Sequence, residues 1–105
     1  MSAYFTAVAE RVAFAPDKYA KDDLARGAHL MAGLNCFAPG QRQAVHAHDG
    51  ADKFYFVLQG KARMRVGDEA RVAEAGTLVW APAGVAHGVE EALEPTVMLV
   101  GISRG

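Results

Sequence analysis

The chain has 105 residues, of which 51% are apolar and 22% charged, with a formal net charge of −1. That length fits one domain, the composition excludes a disordered chain, and the balanced charge excludes the basic footprint of a nucleic-acid binder. A lone cysteine, Cys36, excludes an internal disulfide framework, and Met1–Phe5 shows no basic stretch leading into an apolar run, so a cytoplasmic protein is expected. No apolar stretch approaches the roughly 20 residues that cross a bilayer, so no membrane partner is expected.

In chain order, residues 1–24 are rich in alanine and charge, with Pro16 as the main break, and Tyr19 to Leu24 can form one helical turn. After Gly27 the pattern changes to short apolar runs, at 28–37, 54–59, 62–66, 69–73, 78–81, 88–91 and 96–102, cut by glycine and proline. Such punctuation predicts an all-β sandwich or barrel. Arg63-Met64-Arg65-Val66 alternates polar with apolar and leads into Gly67-Asp68, which predicts a hairpin on a half-exposed sheet. Phe54 to Leu58 is apolar on both strand faces and needs cover on both, from the barrel interior on one side and an opposing layer or a second subunit on the other.

Three of the four histidines stand in informative places. His46-Ala47-His48 has the spacing that turns two side chains of an extended segment to one face, a ready pair of imidazole ligands or a structural coincidence. His87 follows Pro82-Ala83-Gly84, a turn whose proline fixes φ and whose glycine admits positive φ. Alone, it reads equally as a satisfied core histidine. Cys36 reads as a small buried hydrophobe, His29 as a surface or interface residue, and Met31, Met64 and Met98 as core filler.

Taken together, Gly40-x5-His46-x-His48-x4-Lys53-x6-Gly60 and Gly76-x5-Pro82-Ala83-Gly84-x2-His87 resemble the two motifs of the cupin family, in order and with a hairpin between them. The chain is similar to small single-domain cupins of the conserved-barrel type. The resemblance implies a double-stranded β-helix, or jelly-roll barrel, over residues 27–103, with residues 1–26 as a leading segment exchanged in a homodimer. It also implies a divalent ion (Fe, Mn, Ni, Zn or Cu) on His46, His48 and His87.

The family's glutamate position holds Lys53, whose ammonium cannot ligate a cation, and its second-motif asparagine position holds Glu91. A fourth ligand would then come from Asp52, Gln43, Gln59 or Glu91, or the three histidines act alone. Lys53 is either desolvated inside the cavity, as a base or nucleophile, or reaches its mouth and pairs with Asp49 or Asp52. Tyr55 and Gln59 share its strand parity and join it as candidate catalytic residues, whereas Trp80 and Phe54 read as core or interface. The function expected is a metal-dependent dioxygenase, isomerase or lyase acting on a small metabolite. The alternative is a non-catalytic module that binds or senses a small ligand.

Overall fold

The computed structural model describes residues 4–103, and its regular structure is almost entirely β. One 3-10 turn, Val8–Arg11, precedes nine strands. These are β1 (Ala20–Arg26), β2 (Leu30–Phe37), β3 (Gln43–His46), β4 (Lys53–Gln59), β5 (Lys61–Val66), β6 (Glu69–Glu74), β7 (Leu78–Ala81), β8 (His87–Ala92) and β9 (Thr96–Ser103). They form two antiparallel sheets, ordered β1-β2-β9-β4-β7 and β3-β8-β5-β6. This is the jelly-roll arrangement that the punctuated apolar runs predict.

The two sheets share one core. Tyr55 and Val57 of β4, Phe37 of β2 and Met98 of β9 pack with Met64 of β5 and Val89 of β8, all of them buried. Each such side chain contributes about 1.5–3 kcal/mol by leaving water, which is what closes the two sheets on each other. Strand parity sorts β4 as its pattern requires: Lys53, Tyr55 and Val57 point inward and are buried, while Phe54 and Phe56 face outward and are half-buried. The Phe54 ring lies directly over Gly101, its register partner on β9.

Beyond the barrel interior, a second apolar cluster of Leu34, Cys36 and Val97 carries Val8, Val12, Ala20 and Leu24 of the leading segment. The leading segment therefore covers the outer face of β2 and β9, whereas on the outer face of β4 Phe54 and Phe56 are half-buried. Cys36 is buried in this cluster, and His29 is exposed.

The helical turn expected from Tyr19 to Leu24 is not formed. Residues Ala20–Arg26 are a strand, paired antiparallel with β2 from Ala20↔Cys36 to Arg26↔Met31. Ala20, Asp22 and Leu24 are half-buried while Lys21 and Asp23 are exposed, a period of two that an open strand edge selects over weak local helix preference. Between β5 and β6, Val66 pairs with Glu69 across Gly67-Asp68, which is the expected hairpin.

Candidate metal centre

Two short strands bring the three histidines together. On β3 and β8, His46 stands directly opposite His87, and His48 follows two residues after His46. The strands meet so closely because residue 88 is glycine. A Cβ there would lie 2.8 Å from the Gln43 carbonyl oxygen and 2.9 Å from the Val45 Cα, both backbone atoms with little room to give.

The turn before His87 is tied to the same neighbourhood. Gly84, at φ +80°, donates its backbone N–H to the His48 carbonyl at 3.0 Å, and Val85 donates to Pro82 at 3.1 Å. Asp52 fastens this turn from the side, accepting the Ala83 N–H at 2.9 Å on its carboxylate. The first motif and the second are thus joined by main-chain bonds as well as by the meeting of their histidines.

The protonation state of two rings follows from their partners. His87 Nδ1 lies 3.0 Å from the Val85 carbonyl and His46 Nδ1 lies 2.7 Å from the Ala44 carbonyl. A carbonyl only accepts, so each Nδ1 carries a proton, and Nε2 is the nitrogen each ring has left to offer a ligand. The His46 and His48 Nε2 atoms approach to 3.1 Å, and one ring nitrogen from each of the three histidines falls within 4.8 Å of the others. Buried His87 Nε2 has no hydrogen-bond partner among the described residues.

Burial lowers the proton affinity of His48, helped by His46 and Lys53, and burial also lowers that of His87 against the raising effect of its bond to Val85. Both rings are therefore biased toward the neutral form that a metal requires. Three convergent imidazoles, one with an orphaned buried ring nitrogen, fit a borderline divalent ion.

The opposite sheet supplies a different chemistry. Lys53 points into the barrel and is only 7% exposed, with its Nζ 4.6 Å from the centroid of the Tyr55 ring. Neither Asp49 nor Asp52 pairs with it, and no carboxylate among the described residues lies within ion-pair distance. Desolvation, and after it the charge of Lys21, pull its pKa down to about 8. The Tyr55 phenol is pushed above its usual range by burial, then by Tyr19. Tyr55 donates to Gln43 Oε1 at 2.5 Å, and Gln43 Nε2 donates to the Tyr19 hydroxyl at 3.1 Å.

The oxygen donors considered as fourth ligands fall in different places. Asp52 is exposed and occupied with the Ala83 turn; a period of two turns it away from the face Lys53 shares with Tyr55. Glu91 is exposed on β8 opposite Arg63. Gln43 is buried at the cavity, but both ends of its amide are engaged by tyrosines. Gln59 is exposed beyond a register shift after Val57, so its expected parity with Lys53 and Tyr55 is broken. Tyr19 is a cavity residue not anticipated from sequence, because its segment reads as helical.

A cavity of about 390 Å³ opens onto His46, His48, Lys53, Gln43 and Tyr19, with Lys21 and Asp22 at its wall. A larger hollow of about 510 Å³ lies between β6 and β7, near Met64, Val72 and Trp80. It holds none of the histidines, and we place the chemistry at the smaller one. Trp80, expected in core or interface, is about half exposed on this side.

Comparison with known proteins agrees with this architecture. The chain is 33% identical over 78 residues to the uncharacterized protein SCO3923 of Streptomyces coelicolor, covering 74% of this chain and 73% of that one. The crystal structure of TT1209 from Thermus thermophilus matches with a TM-score of 0.89 and 34% identity, over 94% of this chain and 95% of the other. The DMSP lyase DddQ from Ruegeria pomeroyi matches at a TM-score of 0.74 and 27% identity, over 85% of this chain and 48% of that larger one. No helix among the described residues is long and apolar enough to cross a membrane. Residues 33–102 match the cupin domain model, and with both motifs folded onto one jelly roll the chain belongs to the cupin family.

Proposed function

We propose that this cupin is a metal-dependent enzyme, of dioxygenase, isomerase or lyase type, acting on a small oxygenated or carbonyl-bearing metabolite. The observation that carries the reading is the convergence of His46, His48 and His87, with the Nε2 of His87 buried and unpartnered among the described residues. These three side chains would hold Fe, Mn, Ni, Zn or Cu. A bound ion would supply Lewis acidity, or oxygen activation if it is iron, at the coordination positions that three ligands leave open.

The chain's own residues prepare that site in definite ways. The Ala44 and Val85 carbonyls hold two imidazoles in the tautomer that offers Nε2. Tyr55, kept protonated by burial, anchors Gln43 and with it the inner wall. Lys53 stands opposite as a group able to neutralise an acidic substrate or exchange a proton near neutral pH. The cavity is of a size for a metabolite and not for a polymer. Likeness to a lyase, DddQ, supports an enzymatic reading.

Lys53 itself favours a second reading, a non-catalytic module that binds or senses a small ligand, since a buried ammonium weakens the hold on a cation. We place either protein in the cytoplasm as a homodimer. The test is elemental analysis of protein purified without a histidine tag, beside the His46→Ala/His48→Ala/His87→Ala variant. Near one equivalent of a transition metal, lost in the folded variant, supports the metal centre; no metal in either supports the ligand-binding module.

A further inference from the structure

We infer that the cavity takes a small organic carboxylate, with Lys53 Nζ as its counter-ion. This deepens the reading of the site as a metabolite pocket and rests on it, but does not need the metal. It follows from a count of charges. Two carboxylates, Asp22 and Asp23, stand at the cavity wall. Both are already committed: Arg11 holds Asp22 through two bonds of 2.8 Å, and Arg26 holds Asp23 at 2.6 Å. Lys21 and Lys53 remain as cations at the cavity without an ion-pair partner among the described residues.

Lys53 is the sharper of the two. It is more than nine-tenths buried, and its Nζ rests on the face of Tyr55, which stabilises a cation but leaves the N–H donors without an acceptor among the described residues. Its stem is buried while its charged end opens on the cavity with no counter-ion, and an incoming anion would supply one. Asn35, 4% exposed, also lines the cavity and adds a neutral polar group of the kind that orients a ligand. A divalent ion on three neutral histidines would raise the local positive charge further, since the strand position facing them carries a lysine and no acid.

A carboxylate is favoured over a phosphate because the buried donor is one point charge. Phosphate sites ordinarily add a helix N-terminus or a cradle of backbone N–H groups, and no regular helix among the described residues borders this cavity.

The experiment uses pairs of small molecules matched in shape and differing in charge: lactate with lactamide, benzoate with benzamide, glucuronate with glucose, and inorganic phosphate as a separate arm. Binding is measured by calorimetry and by thermal shift, on protein stripped of metal and on protein loaded with zinc. We expect at least one carboxylate to bind about tenfold or more tightly than its neutral partner. Lys53→Met abolishes that preference and Lys53→Arg, which keeps the charge, retains it. The preference survives in metal-free protein, so loss of the metal centre alone leaves the inference standing. Equal binding of acid and amide throughout, a preference untouched in folded Lys53→Met, or phosphate preferred to every carboxylate would each overturn it.

Discussion

The two sheets bring opposite offers to the barrel interior. From β3, the residues just after it, and β8 come three imidazoles, acceptors suited to a cation. From β4 comes a buried ammonium, a cation itself, held over an aromatic face. Neither half completes the other. Within most protein cores, buried polar groups find partners inside the fold; here His87 Nε2 is buried without one among the described residues, and Lys53, on the facing wall, has a buried stem and no ion pair among them. The lesson is that one barrel interior can hold an unpartnered acceptor beside an unpaired cation, whose complements, under the readings proposed above, would be an ion and an anion from solution.

Substituting the lysine breaks the contrast most strongly. Its pKa is 10.5 when unfolded and about 8 when folded, so between those values the unfolded chain binds more protons and stability rises with pH. Below pH 8 the fold bears the full cost of the buried charge, and above 10.5 that cost is gone. Lys53→Met should therefore raise stability at pH 7 by roughly 2–3 kcal/mol and remove the rise with pH between the two values. Denaturant unfolding at a series of pH values checks both; a stability unchanged at pH 7 would mean the ammonium is adequately solvated.

Moving the strands apart tests the other wall. Gly88→Ala places a methyl group against the backbone of β3 and should cost about 2 kcal/mol of stability. Because it shifts His46 away from His87, zinc affinity should also fall, by about 10-fold or more as for other supports of a ligand. Zinc titration of the folded variant measures this, and an unchanged affinity would show that the histidines adjust independently of strand spacing.

The smallest effect sharpens the contrast while leaving the lysine and the three histidines in place. Tyr55→Phe deletes the hydroxyl that donates to Gln43 and should cost about 1 kcal/mol, with the Lys53 contact to the ring preserved. A thermal unfolding midpoint lowered by only a few degrees, with zinc affinity retained, is the expected result.

Much of this was legible in the residues themselves. Glycine and proline punctuation marked seven of the nine strands, and the spacings around His46, His48 and His87 foretold which rings would meet. Four things were hidden, each for a physical reason. Ala20–Arg26 became a strand because β2 offered it an unpaired edge, which a local propensity reading does not see. Gln59 left the cavity because a register shift after Val57 interrupts the alternation that parity arguments assume. The place of Asp52 became visible only when the Ala83 N–H came within 2.9 Å of its carboxylate, a contact between residues 31 apart. For Lys53 the sequence leaves the cavity and its mouth both open, and the choice is visible only in the structure, where alternation along β4 buries it with Tyr55 and Val57.

β3 is four residues long, sits at the border of its sheet and is hydrogen-bonded to β8 alone, whereas β8 lies between two neighbours. An ion gripping His46 and His48 from that border and His87 from the interior would act as a rivet, fastening the loosest strip of the barrel to a firm one. Amide hydrogens along Gln43–His46 would then exchange slowly in loaded protein and quickly in stripped protein, giving the cell a fold whose rim stiffens when metal arrives.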